Sequence, residues 1–479
     1  MRLNSGLVPF KKTVALLAFA ALTLQSFGAP AVDHPAAHPN RPTARFPGVS
    51  RRSHRASAAQ MPSMMQMPVI APLFIQDRNF SSALILVNAS NIDTYADVIL
   101  SGLDGSQIIK QSVGLSPNSQ RRVEVDSLLK SVGSSVTTGR ITVMQSPELK
   151  GMAINSQLAI TYFGSKEPNY IDEEVVMPSS ESSPILRAVT DTGAGSPVVA
   201  LTSLANSLQQ IRMDCLGGGD GRFSKLIDLE AGQTVVTEAC ADRTLSGEDF
   251  RAVLDATVEG KRGPVGIALA SDGMPGSFAA FGLMPHKNQD EHFFSAINFS
   301  DPKMTMSANT VFTGVPVGSA TLLPDGKYVP QMMLANFSKK DLHVAIKYSH
   351  MSSEIPVVEG VGNLVVRSMT TEHISLDSLE GDPGLKNSFL VTSDGAPGDL
   401  VAKLVSTSDS QLREVEVIAK AEADVNNAGN HPWSLEEGND STLLLFNHSK
   451  KPLYFNVSIG SGPSCGRKLI SWNRWKPEM

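Results

Sequence analysis

The sequence is poor in cysteine, tryptophan and net charge: its 479 residues include three cysteines and three tryptophans and carry a formal net charge of −6. The cysteines form no Cys-x-x-Cys pair, which excludes a zinc site built from cysteines. The weak acidic balance argues against nucleic acid as the main partner, because such partners usually require a basic surface. After the N-terminal region no apolar stretch is long enough to cross a bilayer, so we expect no further transmembrane span.

Motifs that identify catalytic machinery are also scarce. We find no His-Glu-x-x-His helix motif and no Cys/His pairing with nucleophile character. Paired carboxylates for glycoside hydrolysis cannot be assigned from spacing in a β fold, because the partners sit on different strands. We therefore predict no catalytic residue, no cofactor and no metal site, and a protein that is not an enzyme.

The N-terminus carries a pattern typical of export. Lys11 and Lys12 precede an apolar run over residues 13–24, and small residues follow. This order predicts a secretory signal peptide over residues 1–29. The alternative is an uncleaved anchor helix, but Gln25 ends the apolar run well short of a membrane span.

The next segment, residues 30–70, contains seven prolines and five arginines against the single acid Asp33. Proline and the lack of apolar periodicity predict a disordered, extended linker. It is either a basic tether that touches an anionic envelope surface or a solvated spacer.

Four similar apolar runs organise the rest of the chain, and each ends in an asparagine: Asn88, Asn206, Asn336 and Asn447. An apolar run bounded by Asn and Ser is typical of a buried strand that meets a turn. The asparagines lie 118, 130 and 111 residues apart. Such long and uneven spacing favours whole domains in tandem over a solenoid of short units.

Short alternating strands separated by turn residues surround these runs, about seven to a repeat, which predicts an all-β chain of tandem Ig-like antiparallel β-sandwich domains. Asp126-Ser-Leu in the first repeat recurs as Asp377-Ser-Leu in the third. We expect these divisions: sandwich repeats over 71–183, 184–304 and 305–427, and a partial fourth repeat over 434–479. The last segment is too short for a core of its own, so it is a truncated unit, packs on the third repeat, or borrows strands from another molecule.

Cys215 and Cys240 lie in the second repeat, 25 positions apart, and Cys215 is on the inward face of an alternating strand. In the oxidising compartment that export predicts, they are disulfide candidates. Cys465 is left over, as a free thiol or as a residue whose partner is missing.

Two further groups of residues are candidate binding sites. His286, Asp290, Glu291 and His292 form a tight cluster after Pro285, which is either a metal site or, as we favour, a solvated loop. The tryptophans, Trp433, Trp472 and Trp475, all lie near the C-terminus. They are possible glycan contacts, since sugar rings stack on exposed aromatic rings, or they pack in a core.

The strand ends at Asn88, Asn336 and Asn447, together with the Asp-Ser-Leu segments, resemble those of uncharacterised tandem Ig-like β-sandwich repeat proteins secreted by environmental bacteria. The resemblance covers about residues 71–479, and the second repeat departs most from it. It implies a secreted, periplasmic or cell-surface protein with a structural or adhesive role. The expected partner is a cell-envelope or extracellular protein or polysaccharide. The alternatives are a carbohydrate-binding secreted protein and, less favoured, a secreted hydrolase.

Overall fold

The computed structural model describes residues 15–16, 68–88, 90–145, 154–164, 169–174, 183–191, 196–217, 221–245, 253, 263–288, 291–303, 305, 307–320, 323, 326–352, 355–381, 386–408, 414–417, 420–421, 440–441, 456–459 and 468–471. Most of these residues are in β-strands, nearly all of them antiparallel, and the described residues include one short helix, which confirms the predicted all-β class of tandem sandwiches. No helix in these ranges is long and apolar enough to span a bilayer.

The first sandwich has two four-stranded sheets. Its elements are β2 (Val69–Ile75), β3 (Phe80–Asn88), β4 (Thr94–Gly102), β5 (Gln107–Leu115), β6 (Ser119–Glu124), α1 (Val125–Ser131), β7 (Thr138–Gln145), β8 (Ile154–Tyr162) and β9 (Asn169–Glu174). One sheet has the order β2-β7-β4-β5 and the other β6-β3-β8-β9. Asp126-Ser-Leu lies in α1.

The second sandwich follows the same plan. Its strands are β10 (Ile185–Thr190), β11 (Val198–Ser203), β12 (Gln209–Leu216), β13 (Arg222–Leu229), β14 (Thr234–Glu238), β15 (Thr244–Leu245), β16 (Val265–Ser271), β17 (Phe278–Asn288) and β18 (Glu291–Ile297). The sheets have the orders β10-β16-β12-β13 and β15-β14-β11-β17-β18.

The third sandwich is the largest. Its strands are β19 (Thr310–Thr313), β20 (Gly318–Ser319), β21 (Lys327–Asn336), β22 (Leu342–Ser352), β23 (Ile355–Val366), β24 (Thr370–Ser375), β25 (Ser388–Ser393), β26 (Leu400–Ser408), β27 (Glu414–Val417) and β28 (Lys420–Ala421). One sheet has the order β23-β22-β25-β19-β28. The other has the order β20-β21-β26-β27, and β24 also pairs with β21.

Four short strands lie nearer the ends of the chain. β1 (Ala15–Leu16) pairs in parallel with β29 (Asp440–Ser441), and β30 (Asn456–Ile459) pairs with β31 (Lys468–Ser471). The rest of the predicted signal peptide and nearly all of the linker lie outside the described residues, as do the other parts of the partial fourth repeat. The linker boundary is wrong by two residues, because Val69 and Ile70 begin the fully buried strand β2.

The same strand order occurs in all three sandwiches. In the first, β3 lies between β6 and β8, and β7 lies between β2 and β4; β11 and β16 of the second sandwich, and β21 and β25 of the third, have equivalent neighbours. Just before the fifth strand the backbone is left-handed in each unit, at Asn118 (φ 50°), Gly232 (φ 72°) and Met369 (φ 54°).

This order shares its central pairs with the immunoglobulin fold but differs in three of the strands around them. As in immunoglobulin domains, the second strand pairs with the fifth and the third with the sixth. In the immunoglobulin order, however, the first strand lies beside the second and the seventh beside the sixth. Here the first lies beside the sixth and the seventh beside the second, so the two terminal strands have exchanged sheets. The fourth strand also lies beside the third, whereas in the immunoglobulin constant-type order it lies beside the fifth.

Each sandwich buries a core between its sheets, and the sheets that meet a neighbouring sandwich are also partly covered on their outer face. Strand β11 is buried at all six positions. Val199 and Leu201 pack in the second core, whereas Val198 and Ala200 belong to the cluster that fills the first sandwich. A strand covered on both faces loses its polar alternation, which explains the unbroken apolar runs in the sequence.

Candidate functional site

The asparagines that end β3 and β21 sit in matching hydrogen-bond networks. Asn88 is fully buried; its Nδ2 donates to the carbonyls of Ile92, Leu115 and Ser116, and its Oδ1 accepts from the backbone N–H and hydroxyl of Ser90. The Asn88 amide closes the turn after the strand, as the sequence predicted. The side chain is fully buried, so it offers no surface to a ligand.

Asn336 repeats the arrangement. Its Nδ2 lies 2.8–3.0 Å from the carbonyls of Lys340, Val366 and Arg367, and its Oδ1 lies 2.8 Å from both the N–H and the hydroxyl of Ser338. The two copies, 248 residues apart by subtraction of 88 from 336, use the same side-chain chemistry at the same strand position.

The second sandwich closes the equivalent strand end with a different residue. The prediction that Asn206 ends the buried strand is wrong. Asn206 is exposed and lies beyond the end of β11, whose last residue is the buried Ser203. Gln209 donates to the hydroxyl of Ser203 and the carbonyl of Ser277 and accepts from the Ser271 hydroxyl. A glutamine from the next strand thus replaces the asparagine. Asn447 lies outside the described residues.

Cys215 and Cys240 form the expected disulfide, with their Cα atoms 5.5 Å apart. Beside it, the Lys225 ammonium donates to the Thr237 hydroxyl and to the carbonyls of Glu238 and Ala241. Partial burial lowers the pKa of Lys225, because removal from water disfavours the charged amine. The lysine therefore fixes the loop that carries Cys240, and this region is structural.

Buried contacts join the first sandwich to the second. Phe80 and Tyr162 of the first pack against Phe294 of the second, with ring centroids 4.8–5.3 Å apart. Arg140 donates to the carbonyl of Ser203 across the same boundary. The junction is thus an apolar core with polar links at its border, and not a flexible tether.

A second buried junction joins the second and third sandwiches. Val189 and Leu216 pack with Met333 and Ala335, which face away from the core of their own sandwich. Two cations then donate across the junction: Arg187 to the carbonyl of Gly398, and the buried Lys403 to the carbonyl of Ala296. The Arg187 guanidinium also lies over the Phe337 ring, 5.2 Å from its centroid.

The outer face of the third sandwich carries an open groove of about 600 Å³. Strands β22, β23 and β25 form its floor. Its lining side chains include His343, Asn363, Val365, Thr392 and Asp394. Hydroxyl, amide and carboxylate groups beside aliphatic side chains can hydrogen-bond and cover a polyhydroxylated ligand.

His343 and Asp394 form an exposed pair in this groove. His343 Nδ1 lies 2.9 Å from Asp394 Oδ2, and the two side chains are 74% and 53% accessible. Hydrogen bonds from the imidazole and the backbone N–H of His343 lower the pKa of Asp394, so the carboxylate stays ionised over a wider acidic range. A solvated pair of this kind can orient a ligand hydroxyl.

The loop predicted around His286 is wrong. Residues through Asn288 continue strand β17, where Pro285 lies opposite Phe294 and His286 opposite Phe293. The His286 ring stacks on Phe293 with centroids 4.7 Å apart and its Nε2 lies 2.8 Å from the Ser295 hydroxyl. Beyond Leu283 the strand has a partner on one side only, where proline is tolerated. Asp290 lies outside the described residues, and no group of three or more potential metal ligands occurs within those described.

One motif was missed in the sequence. Residues 462–466 read Gly-Pro-Ser-Cys-Gly, which matches the Gly-x-Ser-x-Gly pattern of a nucleophile elbow. That motif requires a strand before it and a helix after it. Here it falls between β30 and β31, which pair as an antiparallel hairpin, so the surrounding elements do not fit. The motif itself lies outside the described residues.

The three tryptophans, Trp433, Trp472 and Trp475, also lie outside the described residues, so their proposed glycan contacts stay a prediction. In comparisons with known proteins, no family model matches the chain and no curated protein matches it significantly.

Proposed function

We propose that this chain is an exported, non-enzymatic repeat protein that acts as a stiff structural or adhesive element at the cell surface. The observation that carries the proposal is the pair of buried junctions between consecutive sandwiches. Modules joined by flexible linkers move independently, whereas apolar junctions with cross-boundary hydrogen bonds hold modules in fixed relation. Phe294 at one junction and Lys403 at the other are the residues that best represent them.

Export is supported by two independent features. The N-terminal pattern of a basic segment, an apolar run and small residues is that of a secretory signal. The Cys215–Cys240 disulfide is of the kind that persists in oxidising compartments and is rare in the cytosol.

The experiment has two parts. Fractionation of the producing cells, with thiol labelling before and after reduction, should find the protein in the envelope or the medium with Cys215 and Cys240 oxidised. A strain lacking the gene should attach less to surfaces, and wild-type protein should restore attachment. Cytosolic protein with three reactive thiols, or undiminished attachment of the deletion strain, would refute the proposal.

A matched pair of variants tests the role of stiffness. Phe294→Ala removes an aromatic side chain from the first junction, whereas Phe163→Ala removes one that is 53% exposed. We expect the first variant to restore attachment poorly and the second to restore it fully. Equal restoration by both would show that the junction does not serve attachment.

A second candidate function, polysaccharide binding, is favoured by the groove on the third sandwich. Its open shape, and the amide, hydroxyl and carboxylate groups set in a mainly aliphatic lining, suit a chain of sugar rings. Electrophoresis of the full chain through polysaccharide gels tests it. Asn363→Ala and Asp394→Ala should abolish any retardation, Trp472→Ala tests the tryptophan site separately, and Asp104→Ala, a substitution at an exposed turn of the first sandwich, should have no effect. Retardation by no polysaccharide would exclude this function.

A further inference from the structure

Strand β23 forms one edge of its sheet, because the sheet order ends β23-β22 and no described strand pairs with its other side. It is twelve residues long and exposes two large apolar side chains, Val358 at 54% and Val365 at 48%. An extended apolar edge offers a row of free backbone groups to another strand. Natural proteins usually protect such an edge.

Among the other edge strands, β2 has no charged residue but is buried throughout, and β15 and β20 are only two residues long. The remaining edges carry charge, which is a usual protection. The charged residues on them include Lys110 on β5; Arg121 and Arg122 on β6; Asp172, Glu173 and Glu174 on β9; Arg222, Lys225 and Asp228 on β13; and Glu414 and Glu416 on β27. Strand β23 has a single ionisable residue, Glu359, and its carboxylate lies 3.7 Å from His350 Nε2 of the neighbouring strand. Charge therefore does not oppose the approach of an identical strand.

A β-bulge places both exposed valines on the same face of the sheet. Val358 lies opposite Ser349 and Val365 opposite His343, and the register shifts by one residue between these pairs. Directly opposed residues share a face, and positions 343 and 349 are an even number of residues apart. Without the extra residue, two valines seven positions apart would point in opposite directions.

The two glycines between these valines flank the β-bulge, where glycine often occurs. A Cβ built on Gly360 or on Gly362 would meet no described atom within 4 Å. Neither residue has the positive φ that favours glycine. Glycine inside a strand can also mark a place where another backbone comes close, and the open space at both positions leaves room for a strand from outside the sandwich.

We propose that β23 pairs with β23 of a second copy of this chain, antiparallel, about a twofold axis between Val361 and Gly362. In this register Val358 of each copy lies opposite Val365 of the other, and Gly360 lies opposite Asn363. Every facing pair shares a face of the joined sheet, because the bulge shifts both strands equally. All the exposed apolar surface of the edge is covered, and no like charges face each other.

The twofold arrangement also limits the assembly. Both copies use the same edge, so the contact is self-complementary and closes after two chains. The product is a dimer whose third sandwiches share one continuous sheet. This pairing is argued from the edge of the third sandwich alone, so it is independent of the cellular location proposed above. If the protein acts at the cell surface as proposed, the pairing adds dimer assembly to that function.

Sedimentation of the full-length protein over a range of concentrations tests the dimer. We expect reversible dimerisation, weakened roughly tenfold or more by Val358→Lys and by Val365→Lys, because each puts two buried ammonium groups into the contact. The matched control is Leu226→Lys, which makes the same kind of change at an apolar residue, 61% exposed, on the edge strand β13. It should leave dimerisation unchanged.

Cross-linking tests the register. In a Cys465→Ser background, a Val358→Cys chain mixed with a Val365→Cys chain should form an intermolecular disulfide, and neither chain alone should do so. A protein that stays monomeric up to about 100 µM, a weak-affinity limit, would overturn the proposal. So would a dimer that both lysine variants leave intact, or a β23 edge occupied by a different protein. Thermal unfolding of each variant confirms that these exposed positions do not alter the fold.

Discussion

The buried asparagine at the end of β21 should be one of the largest single polar contributions to stability in the third sandwich. Replacing Asn336 with alanine removes a side chain that is 0% exposed and that contacts two donors and a carbonyl in the turn after β21 and two carbonyls at the end of β23. The carbonyl of Val366 is a buried contact and would lose the amide without gaining water. The unfolding free energy of Asn336→Ala should therefore fall by more than the sum of the lost hydrogen bonds, because a buried carbonyl is left unsatisfied.

The magnitude follows from the number of bonds. The amide has two donor hydrogens for three carbonyls, so one hydrogen is shared, and two acceptor bonds complete the set. At about 1 kcal/mol for each neutral bond, with more for a buried group left unsatisfied, the loss is roughly 3–5 kcal/mol. Asn336→Asp should cost more, because it points a carboxylate at three carbonyl oxygens.

Hydrogen exchange is the suitable assay, because a chain of several sandwiches does not unfold in one two-state step. Amides of β21 and β24 should lose protection by roughly a hundredfold or more, since about 1.4 kcal/mol corresponds to a factor of ten. Amides in the first sandwich should change far less.

Asn206→Ala is the matched control. Asn206 ends an apolar run of similar appearance but is exposed, so its replacement should change stability by no more than about 0.5 kcal/mol. If Asn336→Ala lowered stability by less than about 1 kcal/mol, or if the two variants behaved alike, the buried network would not be what closes the turn.

Three further predictions concern the junction between the first two sandwiches, the Cys215–Cys240 disulfide and the partly buried Lys225. Phe294→Ala should lower the unfolding free energy by roughly 3–5 kcal/mol and separate the calorimetric transitions of the first two sandwiches, whereas Phe163→Ala should do neither; a single unchanged transition would contradict this. Replacing Cys215 and Cys240 with serine should destabilise the second sandwich to denaturant by roughly 3 kcal/mol, as for a loop of this length, and an unchanged midpoint would count against it. Because the pKa of Lys225 is lowered on folding, the unfolded state binds more protons between that pKa and 10.5, so stability should rise with pH across this window. Lys225→Met should flatten the rise, and identical pH profiles would show that the amine does not contribute.

The strands that lie within a single sandwich were largely predictable. Short alternating strands separated by turn residues were predicted throughout the repeats, and the predicted inward face of Cys215 is confirmed by its place in the second core. The Cys215–Cys240 pairing also followed from local pattern. In these cases one period-2 face and one turn determine where the residues lie.

The errors occurred where a second layer changes the meaning of a residue. Asn206 has the composition of a strand end, but the sequence does not say that Ser203 and Gln209 already close that strand. Pro285 and His286 read as a loop until the partner strand β18 supplies their ladder. Val69 and Ile70 follow a proline-rich stretch and were assigned to it, although they are buried between sheets.

By itself the sequence determined the all-β class, the tandem repetition and the disulfide, because strand period, turn residues and cysteine placement act over short distances. Only the tertiary structure decided which terminal strand joins which sheet, which faces become junctions, and that β23 is left at an edge. Those outcomes depend on contacts between residues far apart in the chain, for which a single sequence has no local pattern.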